Sequence, residues 1–166
     1  NQFDPLSLAI LLGALSLMPL LLICTTCFLK VSVVLMIVKN AIGVQQVPPA
    51  IAVYAVSMII TAFVMAPVAH NIGGNLGFVG DKMPTGKITV AHMVTAAEPL
   101  RAFMIKNTSS EQRQRILHIA AKSNAHAGLL QESDYAVLIP AFVLSELQLA
   151  FEIVFVLYIP MIVIDL

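Results

Sequence analysis

The stretch Phe28–Pro49, reading FLKVSVVLMIVKNAIGVQQVPP, decides how this chain is read. It joins two strongly apolar segments through a basic, then polar, then double-proline junction. No charged residue lies between Asp4 and Lys30, and none between Asn40 and Gly80, so Lys30 and Lys39 are isolated cations in an apolar surround. A cation left unpaired in hydrocarbon costs roughly 2.5–3.5 kcal/mol even on the lenient insertion scale. Each lysine must therefore snorkel to an interface or pair with acids of a neighbouring subunit. Glu146, Glu152 and Asp165 are the only acids near the apolar segments.

Working outward, 59% of the residues are hydrophobic and 11% charged, with a mean hydropathy of +0.93, against about 25% charged in an ordinary soluble domain. Spanning a bilayer takes about 20 apolar residues, and Leu6–Leu29, Val47–Ala69 and Tyr135–Ile164 come near it. The charges concentrate elsewhere: residues 81–134 hold seven Lys/Arg and five Asp/Glu. The expectation is an all-α, membrane-associated protein of bent helical hairpins with a small inserted helical domain. Residues 1–70 form the first hairpin, 71–134 the outward-facing insert and 135–166 the first arm of a second hairpin. The insert's weak positive excess lacks the clustered basic patch with interleaved aromatics that phosphate-backbone binding shows, so nucleic acid is not an expected partner.

Gly13, Ser16, Leu20, Cys24 and Cys27 fall on one helix face. Small residues let backbones approach closely where lipid gives no hydrophobic drive, so this face is expected to pack on another helix. Tyr54, Ser57 and Thr61 form a second such stripe. Gly43 is placed to end one helix, and Pro48 and Pro49 suit the first turn of the next, with Asn40–Val47 as the joint. The glycines between His70 and Gly86 mark an irregular connection. Thr95-Ala-Ala-Glu98 and Thr108-Ser-Ser-Glu111 read as capping boxes for short helices near Pro99–Lys106 and Ser109–Ala121. Ser133 or Asp134 can cap the last segment, which Pro140 and Pro160 can bend. The basic bias of short loops puts the Lys30–Gln46 side nearer the cytoplasm, with the insert facing outward. The start lacks the basic region of a signal peptide, so Leu6–Leu29 is read as retained structure. The apolar run closing on VIDL predicts further chain after Leu166.

Ser145, Gln148 and Glu152 share a helix face, with Glu146 about a quarter-turn away; this is a polar seam or, in the rival reading, the carboxylate pathway of a secondary transporter or ion channel. Cys24-Thr-Thr-Cys27 has redox spacing, but it lies deep in an apolar run where packing is the simpler role. The four histidines show no metal-binding spacing, and Gly86-Lys87 lacks the rest of a P-loop; no metal, cofactor or catalytic residue is expected. Gln45 and Gln46 must find hydrogen-bond partners, because an unpaired buried amide costs a few kcal/mol.

The junction, followed by Phe63-Val-Met-Ala-Pro67, then LIPAFVLSEL at Leu138–Leu147, Tyr158-Ile-Pro160 and Val163-Ile-Asp165-Leu, closely resembles the R subunit family of the type III secretion export apparatus, whose flagellar counterpart is the FliP protein. Residues 73–134 match more loosely, with AEPLRAFM at Ala97–Met104 familiar. The resemblance implies a non-enzymatic component of the bacterial inner membrane, much of it on the periplasmic side, the insert included. It implies a pentamer of this chain joined by S- and T-type subunits, with U- and V-type subunits as further candidates, around a pore for unfolded secreted proteins. The residues expected to serve assembly or the pore are Lys30, Lys39, Asn40, Gly43, Gln45, Gln46, Pro48, Pro49, Glu146, Glu152 and Asp165. Two departures stand out. Val154 follows Phe151-Glu-Ile where the family usually has glycine, and Glu152 stands where Lys or Gln is common. Family members also continue past VIDL into a methionine-rich loop and a last hydrophobic arm.

Overall fold

The computed structural model describes residues 5–43, 48–77, 90–123 and 130–165. It is all-α, with no strand among the described residues. The helices are α1 (Pro5–Thr25), α2 (Phe28–Ala41), α3 (Ala50–Asn75), α4 (Val90–Lys106), α5 (Ser110–Ser123) and α6 (Tyr135–Asp165). Three of them, α1, α3 and α6, are long and apolar enough to cross a membrane.

The first apolar segment is not one helix. Thr25 and Thr26 donate their hydroxyls to the carbonyls of Leu21 and Leu22, both at 2.7 Å, and the Phe28 N–H turns to the Thr26 hydroxyl at 3.4 Å. With the Phe28 N–H drawn off the helical ladder to a side-chain hydroxyl, α1 ends here and α2 begins three residues later. The hairpin of the first half is consequently α2 against α3. α1 makes its few contacts with α6 and α2 and is exposed over nearly all its length. The small-residue face of Gly13, Ser16 and Leu20 does not pack within the chain: nothing lies within 4 Å of a side chain placed at Gly13. Only Cys24 and Cys27, at the joint, are covered.

α2 lies between α3 and α6. The buried stripe of α3 is Val53, Ser57, Thr61 and Met65, one residue per turn; Tyr54, placed on this stripe by the sequence, is 45% exposed instead. Ser57 donates to the Val53 carbonyl and Thr61 to that of Ser57, so both hydroxyls are satisfied on their own helix and can be buried. α3 also runs further than expected. His70–Asn75 are helical, Gly73 and Gly74 included, and the turn comes at Gly77 with φ +84°. Glycine inside a helix costs only about 1 kcal/mol, less than interrupting a long apolar helix.

The core sits where the first half of α6 meets α4. Met104, Leu138 and Phe142 are fully buried, flanked by Leu100, Phe103 and Ile139, and the rings of Phe103 and Phe142 meet edge-on with centroids 5.9 Å apart. α4 packs on α3 and α6, and α5 on α6. α4 starts at Val90, so Thr95 is mid-helix and the Thr95–Glu98 pair is not a cap; Glu98 pairs with Arg101 at 3.2 Å. Pro99 has no N–H for the Thr95 carbonyl one turn back, and the Asn75 amide donates to that carbonyl at 3.2 Å. At α5 the capping hydroxyl is that of Ser109, which accepts from the Gln112 N–H. Thr108 donates back to Met104, and Glu111 pairs with Arg115. Before α6, the Asp134 carboxylate accepts from the Gln131 N–H at 2.7 Å rather than capping the helix ahead of it.

Candidate functional site

The two lysines of the opening stretch have different surroundings. Lys30, near the start of α2, reaches across to α6 and donates to Glu146 Oε1 at 2.9 Å. Its side chain is 25% exposed, that of Glu146 1%. The pairing expected with a neighbouring subunit is therefore made within the chain, between residues far apart in sequence. The reason is geometric: Glu146 belongs to the buried first half of α6, with Leu138, Ala141, Phe142 and Ala150, and α2 is the helix packed against it. Burying a carboxylate beyond reach of any cation would cost several kcal/mol. The second oxygen of Glu146 and the hydroxyl of the adjacent Ser145 are buried without a hydrogen-bond partner.

The polar content of this region is larger than the ion pair. Thr25, Thr26 and Cys27 of the α1–α2 joint, Ser32 of α2, and Ser57 and Thr61 of α3 are buried too. Cys24 and Cys27 are free thiols. Cys27 is wedged between helices, a packing position rather than the exposed electropositive one a reactive thiolate needs.

The far end of α2 is open. Gly43 closes the helix with φ +78°, and its N–H donates to the Asn40 carbonyl at 3.1 Å. Only a residue without a side chain adopts that left-handed turn cheaply. Pro49 precedes α3 with φ −63° and ψ 151°, the extended geometry of a helix entry. Lys39 stands in the last turn of α2, lining an apolar groove with Leu35, Val38, Ile42, Pro48, Ala52, Val53 and Val56. Asn40 faces a second groove, against Phe151, Val154, Phe155 and Tyr158 of α6. Gln45 and Gln46 lie outside the described residues, as does the side chain of Asp165.

On α6 the expected polar face divides. Ser145 is buried, whereas Gln148 and Glu152 are exposed. There the Gln112 amide of α5 donates to Gln148 Oε1 at 3.0 Å, and the Gln148 amide donates to Glu152 at 3.2 Å. Glu146 and Glu152 therefore sit in different surroundings, one in the core and one in a surface ladder. Gln112 has no signal in sequence beyond its polarity. Arg113 was equally silent. Its guanidinium donates to the Ile105 and Thr108 carbonyls at 3.2 and 2.6 Å and approaches Glu132 at 3.5 Å, tying the end of α4 to the turn before α6. Among the described residues no three His, Cys, Asp or Glu side chains converge as a metal site would require.

Chemically, the arrangement is suited to holding helices together and to presenting apolar faces. α1, the outer side of α3 with Ile51, Met58, Ile59 and Phe63, and the second half of α6 from Phe151 onward are all exposed.

The profile of the FliP family matches residues 11–166. The harpin secretion protein HrcR of Erwinia amylovora is 42% identical, over all of this chain and 77% of its own length. Yop proteins translocation protein R of Yersinia pestis is 32% identical over 98% of this chain and 76% of its own. The flagellar biosynthetic protein FliP of Aquifex aeolicus is 35% identical over all of this chain and 69% of its own.

Proposed function

The chain belongs to the FliP family, and from that premise we propose that it is a structural subunit of the type III secretion export gate. In this reading it packs with further copies of itself and with S- and T-type subunits around a pore for unfolded secreted proteins, and its role involves no catalysis. It resides in the bacterial inner membrane with much of its mass on the periplasmic side. Residues 71–134 form the outward insert between the first hairpin, 1–70, and the first arm of a second, 135–166, and the Lys30–Gln46 side lies nearer the cytoplasm.

The observation that carries the reading is the family match over residues 11–166, with relatives named for secretion, translocation and flagellar biosynthesis aligned over 98% or more of the chain. The bare apolar faces support it physically. Contiguous exposed apolar surface well beyond a few hundred Å² marks a protein or membrane contact, and here it covers most of α1 and half of α6.

The test is to purify the tagged chain from membranes in which S- and T-type subunits are also made, and to weigh intact complexes by native mass spectrometry. Complexes holding several copies of the chain with both partner types are expected. Monomers under every condition would overturn the proposal. The rival transporter reading makes a separate demand: ion-coupled flux in liposomes that Glu152→Gln abolishes. The surface ladder Gln112–Gln148–Glu152 needs no such flux to explain it.

A further inference from the structure

Lys30 has an acidic partner; among the described residues Lys39 has no such partner. It is the one charged group on a groove otherwise walled by Leu35, Val38, Ala52, Val53 and Val56. On the α3 side of the mouth Pro48 and Pro49 offer no backbone N–H, and Lys39 is the charged donor on the groove. A second groove, between the α1–α2 joint and α3, is comparably apolar, with Leu22, Phe28 and Met58 on its walls, yet carries no charged residue. What distinguishes the Lys39 groove is a cation at one end of an aliphatic channel. The ligand matching both features is an amphiphile with an anionic head.

We propose that this groove binds an anionic phospholipid of the bilayer, with an acyl chain along Leu35, Val38, Val53 and Val56 and the phosphate on the Lys39 ammonium. Lys39 stands one turn from the Gly43 bend, at the tip of the α2–α3 hairpin. From that tip α3 runs on as an apolar helix of membrane length. A hairpin tip of this kind meets the headgroup layer, where a lysine stem lies along apolar surface with its charge at the phosphates. The proposal rests on reading the hairpin as membrane-associated, not on the identity of the export partners.

The test is native mass spectrometry of the purified chain, titrated in mild detergent with phosphatidylglycerol or phosphatidylcholine of identical acyl chains. Phosphatidylglycerol should be retained about fivefold more tightly, the order one lysine contributes beside an anionic surface. Lys39→Met should bring it to the phosphatidylcholine level, Lys39→Arg should keep the preference, and Val56→Trp, which fills the channel, should weaken both lipids. Glycerol phosphate, a head without tails, should not compete. Equal retention of the two lipids, an unchanged preference in Lys39→Met, competition by glycerol phosphate, or a dimer of the chain that excludes lipid would each overturn the proposal. Because no export subunit is present, lipid preference can fail while assembly succeeds, and the reverse.

Discussion

The two ends of α2 carry the same residue to opposite outcomes. Nine residues separate Lys30 from Lys39, about two and a half turns, so the side chains leave the helix on opposite faces. Lys30 enters the closed region where α2 meets the buried half of α6, and it is held by Glu146. Lys39 enters the open region between α2 and the start of α3, in a groove with no acid. The first lysine is part of how the chain folds. The second faces an open groove. An isolated charge in an apolar sequence thus has no single meaning; which helix packs on its face decides.

The largest effects should come from the closed region. Phe142→Ala removes a fully buried ring from the core and should cost about 3–5 kcal/mol, read as a large drop in the unfolding midpoint in detergent. Glu146→Ala leaves Lys30 facing the core without its partner and should cost a similar amount, about 3 kcal/mol or more. Replacing both partners by apolar residues, Lys30→Met with Glu146→Leu, should recover most of that loss, because a buried pair contributes little net stability. If the double variant is no better than the single, the pair is not the main contact of Glu146. Asn75→Ala, which removes an exposed amide bond to the Thr95 carbonyl, should cost only about 0.5 kcal/mol. In the open region, Phe155→Ala and Lys39→Met should each stay within about 0.5 kcal/mol for the isolated chain. A loss as large as that of Glu146→Ala at either site would erase the contrast between the two ends.

Much of the open region was legible in sequence. Gly43 and the prolines mark the joint through backbone rules that need no partner, and the structure has its left-handed turn and helix entry there. Family membership was legible too, because the junction and the LIPAFVLSEL block match in order and spacing. The closed region was harder. Hydropathy runs unbroken through Thr25–Phe28, and the helix break there goes with the Phe28 N–H turning to the Thr26 hydroxyl, which leaves no trace in periodicity. Lys30 had three acids to choose from, and only tertiary packing selects Glu146. The Thr95–Glu98 pair misled because a capping box has the same residue pattern inside a helix as at its start. Pro99, where the helix was expected to begin, stands mid-helix, and the Thr95 carbonyl one turn before it accepts from Asn75, twenty residues away in sequence.

Charge exchange tests the contrast most directly, with secretion as the readout. Lys30→Glu and Glu146→Lys, each alone, place like charges in a buried site and should abolish or strongly reduce secretion by the cells that carry them. Combined in one chain they should restore much of it, while Glu146→Lys combined with Lys39→Glu should restore none. Failure of the Lys30–Glu146 exchange to rescue, or rescue by the Lys39 exchange instead, would contradict the assignment of one lysine to the fold and the other to an open groove.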